Sequence, residues 1–102
     1  MKLITKELEK RFAEIGDQHE AKDPIVVAKF FNPQGAGTWW ATEYYPEEKI
    51  FFGYAEIQCG EWGYFSLTEL ENFRGQIGLG IERDLYFTEQ PISQVCPDAI
   101  IK

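Results

Sequence analysis

Apolar residues at Ile4, Leu8, Phe12 and Ile15 recur at intervals of four, four and three, one stripe of a helix, with Thr5 placed to cap its start and Gly16 to end it. This spacing predicts a helix over residues 5–15. The segment from Asp17 to Pro24 is polar, lacks periodicity and ends in proline, so it reads as a loop. Ile25 to Phe31 is β-branched and aromatic and is closed by Asn32-Pro33, the signature of a strand. Two further strand-like runs, Thr38 to Tyr45 and Ile50 to Ile57, are joined by Pro46-Glu47-Glu48-Lys49, a connection short enough for an antiparallel hairpin. Glu61 to Phe65 is a fourth strand.

Ser66-Leu67-Thr68-Glu69 is a capping-box pattern and predicts a short helix over about residues 67–74. Gly75, Gly78 and Gly80 keep the chain irregular until Asp84-Leu85-Tyr86-Phe87, which reads as a last strand, and Pro91 and Pro97 leave the tail extended or in a short helical turn. The expected fold class is α+β: a mainly antiparallel sheet of about four to five strands, an N-terminal helix and a short helix after the fourth strand.

Six times two aromatic residues stand side by side: Phe30-Phe31, Trp39-Trp40, Tyr44-Tyr45, Phe51-Phe52, Tyr64-Phe65 and Tyr86-Phe87. Neighbouring residues of a regular strand point to opposite faces, so each doublet sends one ring to either side of the sheet. A sheet with rings on both faces needs two covers. The two helices shield one face and leave the other to loops, the C-terminal tail or a partner. Three readings stay open: a third layer made by the chain itself, an aromatic docking surface, and a small-molecule cleft.

Length and composition narrow the classes. A chain of 102 residues, 44% hydrophobic and 26% charged, fits one domain over residues 1–102 with one core. Its N-terminus interrupts apolar residues with charges and offers no secretory run, and no segment reaches the roughly 18 apolar residues of a membrane span. Cys59 and Cys96 have no metal-ligand or redox spacing around them, which points to reduced, inert thiols in a cytoplasmic setting, with one disulfide or a reactive thiol as the alternatives.

The formal net charge is −7, which argues against direct nucleic-acid binding because phosphate neutralisation needs clustered Lys and Arg. Between Phe30 and Phe73 stand seven acids and one base, so this central stretch alone carries −6.

Candidate chemistry is sparse. Glu43, Glu61, Glu82 and Asp84 are the carboxylates that a hard-metal or acid/base site would draw on, but their spacing does not bring them together, and Arg83 stands between two acids as an ion-pair partner. His19, the single histidine, lies in the predicted loop with no nucleophile at a diagnostic spacing and reads as a surface residue. Ser66 lacks the second glycine of a nucleophile elbow and is accounted for by the helix cap. Gly75-Gln76-Ile77-Gly78-Leu79-Gly80 reverses the dinucleotide-binding spacing, and Glu82 and Asp84 beside it repel phosphate. No cofactor or metal is expected.

Several blocks carry a resemblance over most of the chain: Lys2-Leu3-Ile4-Thr5-Lys6-Glu7-Leu8, Lys29-Phe30-Phe31-Asn32-Pro33, Thr38-Trp39-Trp40-Ala41-Thr42-Glu43, Phe51-Phe52-Gly53, Glu61 through Leu70, and Gly78 through Phe87. Together they resemble a bacterial family known as domain of unknown function 2958. The resemblance implies a setting, small genes of plasmids, integrative elements and phages near conjugation or anti-restriction functions, and implies no catalytic residues.

The leading expectation is a non-catalytic accessory protein that binds a protein partner through an acidic, aromatic sheet face. In its sharpest form it inhibits a nucleic-acid-binding defence enzyme by mimicking phosphates. Trp39, Trp40 and Tyr64 are the expected anchors, and Glu43, Glu47, Glu48, Glu61, Glu82, Arg83 and Asp84 the polar contacts. The competing readings are a metal-assisted hydrolase built on Glu43, Glu61, Glu82 or Asp84, and a homodimer that buries the second face against itself, the protein otherwise being a monomer.

Overall fold

In a computed structural model, residues 2–75 and 77–99 are described. Helix α1 spans Lys6–Ile15, and the side chain of Thr5 caps it by accepting the Leu8 amide at 3.1 Å. Gly16, at φ 73°, ends it in a left-handed conformation that a glycine adopts without cost.

The run Ile25–Phe31 divides into two strands, β1 (Ile25–Val26) and β2 (Ala28–Phe31), where a single strand was expected. Four strands follow: β3 (Thr38–Tyr45), β4 (Ile50–Glu56), β5 (Gly60–Ser66) and β6 (Glu82–Arg83). Helix α2 (Leu67–Asn72) lies between β5 and β6, capped by Ser66 Oγ accepting the Glu69 amide at 3.1 Å. The tail forms β7 (Gln90–Pro91), the short helix α3 (Ile92–Val95) and a 3₁₀ turn at Pro97–Ala99.

The main sheet is antiparallel throughout, in the order β5-β4-β3-β2-β6. β1 leaves this sheet and pairs with β7, placing Ile25 opposite Pro91. The α+β class, the N-terminal helix and the short helix after β5 agree with the sequence pattern. The last strand is displaced: pairing occurs at Glu82–Arg83, and Asp84 to Phe87 is a turn. Its cause is local, because Asp84 Oδ1 accepts the Tyr86 amide at 3.0 Å and bends the chain away from the sheet.

Five of the six aromatic doublets lie on strands, and alternation splits them as the pleat requires. One face carries Phe30, Ala41 and Phe51, packed with Leu3, Phe12, Leu67 and Leu70 from the helical side. The ring centroid of Phe51 lies 5.1 Å from that of Phe30 and 5.4 Å from that of Phe65. Each fully buried phenylalanine of this cluster contributes about 1.5–3 kcal/mol of apolar burial.

The second face carries Trp40, Tyr54 and Trp62, covered by Ile92, Cys96 and Ala99 of the tail. The tail is therefore a third layer, and the Trp62 indole N–H fastens it by donating to the Ala99 carbonyl at 2.7 Å. Cover is partial, since Tyr64, two residues along β5 on the same face, is 59% exposed. No helix among the described residues is long and apolar enough to cross a membrane.

Candidate functional site

A β-bulge determines what sits on the open half of the second face. Register along β3 and β4 shifts between Ala41 and Glu43, so Ala41 opposes Gly53 and Glu43 opposes Phe52. The extra residue, Thr42, is fully buried and donates its hydroxyl to the Phe52 carbonyl at 3.1 Å. Unbroken alternation would place Glu43 with Trp39 on the helical face. The bulge turns it to the face of Trp40 and Tyr45 instead.

Glu43 is 2% exposed, a burial that a carboxylate tolerates only with hydrogen-bond partners. Its Oε2 accepts the Gln18 amide at 2.9 Å and lies 3.1 Å from His19 Nδ1, while Oε1 accepts a short hydrogen bond from the Tyr45 hydroxyl. The tyrosine proton is held in turn: burial, the bond to Glu43 and the Glu43 charge push the Tyr45 phenol well above its ordinary range.

The 17–24 loop is pinned where it crosses this strand. Gln18 donates from Nε2 to the carbonyls of Ile25 (2.9 Å) and Thr42 (2.8 Å) and accepts the Ile25 amide at 2.7 Å. Asp17 Oδ1 accepts the His19 amide at 2.7 Å and lies 3.7 Å from the same imidazole nitrogen that faces Glu43. The His19 ring meets Phe52 edge-on, centroids 4.9 Å apart.

Between the loop, the sheet and the tail opens a cleft of about 300 Å³, with Thr42, Glu43, Phe52 and Trp62 on the sheet side, His19 and Lys22 from the loop and Ala99 from the tail. Phe52 stacks on Trp62 at 5.9 Å and meets Tyr64 at 5.0 Å. Tyr64 also approaches Tyr45 at 6.2 Å, so the aromatic surface runs unbroken from the cleft to the hairpin end of the sheet.

The residues singled out in the sequence are spread over the molecule. Trp40 is 7% exposed in the second core, and Trp39 packs against the first. Glu47 and Glu48 are exposed in the turn after Tyr45. Glu61 is exposed on β5 but alternates to the face opposite Tyr64. Glu82 and Arg83 lie on the far edge strand, where Arg83 donates to the carbonyls of Lys2 (3.1 Å) and Leu3 (3.4 Å), and Asp84 pairs with Lys29 at 3.6 Å.

Glu61 and Glu82 occupy opposite edges of a five-stranded sheet, roughly 19 Å apart at the usual strand spacing. The four carboxylates therefore do not meet. The residues that do converge on Glu43 are Asp17, His19 and Tyr45, together with Phe52. Sequence reading placed His19 correctly in a loop but gave no sign that the loop folds back across β3.

A family model described as "Protein of unknown function (DUF2958)" matches residues 3–99, and the chain belongs to that family. No curated protein and no solved structure matches it.

Proposed function

We propose that this DUF2958 protein is a non-catalytic binding protein that docks a basic protein surface on the open half of its second sheet face. The observation that carries the reading is Tyr64: its ring is 59% exposed in the middle of an aromatic ladder whose neighbour, Trp62, is half-buried and tied to the tail. Tyr45, Phe52 and Tyr64 supply rigid contact area at low entropic cost. Acidic residues surround them, with Glu47 and Glu48 in the adjoining turn and Asp17 and Glu20 in the crossing loop. An apolar centre within an acidic rim is complementary to a basic partner, and the −6 carried between Phe30 and Phe73 steers one towards it.

The sharper form of the proposal is inhibition of a nucleic-acid-binding defence enzyme, with the rim carboxylates in place of phosphates. A setting among mobile elements, implied by the family resemblance, is where such an inhibitor is useful. Capture of a binding partner from host lysate on immobilised wild type, Tyr64→Ala and a Glu47→Gln/Glu48→Gln variant tests both levels. The expected result is a nucleic-acid-binding protein retained by wild type, released by duplex DNA and by salt, and lost with Tyr64→Ala. Retention that is indifferent to Tyr64→Ala and to salt overturns the docking reading. Retention that depends on Tyr64 but ignores duplex DNA overturns only the mimicry.

A further inference from the structure

We infer that Asp17, His19 and Glu43 form a binding site for one divalent transition-metal ion of the zinc class. The site lies beside the docking surface but does not depend on it.

Geometry carries the inference. One ligand atom from each of the three residues lies within 4.8 Å of the others. A single imidazole nitrogen, His19 Nδ1, faces Glu43 Oε2 at 3.1 Å and Asp17 Oδ1 at 3.7 Å. A proton on that nitrogen reaches only the nearer oxygen, because 3.7 Å is too long for a hydrogen bond. A metal ion serves all three together. Zinc bonds of about 2.0–2.2 Å to nitrogen and oxygen place tetrahedral ligands about 3.4 Å apart. The two distances to the imidazole nitrogen bracket that value. Asp17 Oδ1 accepts the His19 amide at 2.7 Å, which holds it on the imidazole side, and its side chain, 67% exposed, has room to close the remaining gap.

The surroundings are those of a supported ligand set. Glu43 is held by the Gln18 amide on one oxygen and the Tyr45 hydroxyl on the other, so its orientation is fixed before a metal arrives. The imidazole is positioned against the edge of Phe52. Gln18, with three hydrogen bonds to the backbone of Ile25 and Thr42, locks the loop that carries two of the ligands to the strand that carries the third.

Ligand chemistry selects the ion. One imidazole nitrogen with two carboxylate oxygens suits zinc, cobalt or manganese, whereas magnesium and calcium prefer all-oxygen shells. Three protein ligands leave a coordination position open, and the neighbouring cleft is where a water or a small anionic group would complete the shell.

Calorimetric titration of untagged, full-length protein with zinc alone tests the site, with magnesium and calcium as comparisons. Cys59 is an exposed thiol that competes for zinc, so the titration is made in Cys59→Ser. His19→Ala and Asp17→Asn are the diagnostic variants, because both residues are exposed and their replacement leaves the buried Glu43 in place. The expected result is one equivalent of zinc bound by Cys59→Ser, weakened at least about tenfold in each variant. The imidazole resonances of the single histidine shift on zinc addition, and magnesium and calcium give no heat. The inference is overturned if Cys59→Ser binds no zinc, if His19→Ala binds it undiminished, or if the imidazole resonances do not move.

Discussion

The indole N–H of Trp62 donates to the backbone carbonyl of Ala99 at 2.7 Å, joining the edge strand of the sheet to the 3₁₀ turn at Pro97–Ala99. That bond closes the third layer over Trp40 and Tyr54 and ends the covered part of the face one residue pair short of Tyr64. Trp62→Phe keeps an aromatic six-membered ring but deletes the donor together with the five-membered half of the indole. Stability in urea should fall by more than about 0.5–1.5 kcal/mol, the usual net worth of such a bond, because packing is lost with it. Cys96, a buried residue of that tail whose thiol is pushed up by the burial, should react faster with a thiol reagent in the variant, while exposed Cys59 reacts at once in both proteins. An unchanged Cys96 rate would show that the tail does not depend on this bond.

Gly53 and Gly63 are direct cross-strand partners on β4 and β5, yet their surroundings differ. A Cβ on Gly53 would run into the Trp40 carbonyl at the bulge, whereas one on Gly63 would meet nothing within 4 Å. Gly53→Ala must push β3 away and should cost about 3 kcal/mol, the upper end of overpacking penalties. Gly63→Ala should be neutral or stabilise by up to about 1 kcal/mol, because it narrows the unfolded ensemble. Paired thermal melts decide the matter, and equal costs would mean that the bulge is not as tight as its geometry indicates.

Elements with local signals were legible. The stripe of Leu8 and Phe12, the Thr5 and Ser66 caps and the four-residue hairpin turn each lie within a few residues of the structure they specify, and each forms as expected. Pairing choice is not local. The run from Ile25 to Phe31 reads as one strand, because periodicity does not report that Val26 pairs with the tail while Ala28 pairs with β3.

The bulge at Thr42 was invisible for the same reason, and it reverses the face on which Glu43 falls. That single inversion takes Glu43 off the helical face and onto the open one, where a loop histidine meets the buried glutamate. A polar Thr42-Glu43 pair inside an aromatic strand was the available clue.

Replacing Glu43 by glutamine tests whether the buried carboxylate holds the loop. The amide keeps the size of the side chain but has one acceptor oxygen and no charge, so the Tyr45 hydroxyl must stop donating and turn to accept, and the bonds from the Gln18 amide and the His19 side lose their charged acceptor. Loss of a hydrogen bond to a charged group costs about 1.5–3 kcal/mol. The effect should concentrate in residues 17–24, seen as faster amide exchange there and earlier tryptic cleavage at Lys22, with the β4–β5 ladder unaffected. Uniformly faster exchange across the sheet would instead assign Glu43 a global role.

The tyrosines set the alkaline limit of the fold. Burial raises Tyr44, Tyr45 and Tyr54 above the ordinary value of 10.0, and Tyr45 is held further by its bond to Glu43. Below that value these phenols are protonated whether the chain is folded or not, and their contribution to stability is fully present. Above it the unfolded chain releases protons that the folded chain keeps, so stability falls as pH rises until the folded groups also ionise. Urea midpoints should therefore decline steadily above pH 10, and the tyrosinate absorbance of these three residues should appear together with loss of the near-ultraviolet signal. Tyr45→Phe should flatten the decline while lowering stability at neutral pH, since it removes both the raised phenol and the donor to Glu43. Full tyrosinate amplitude near the ordinary value in a protein that is still folded would contradict the burial of these rings.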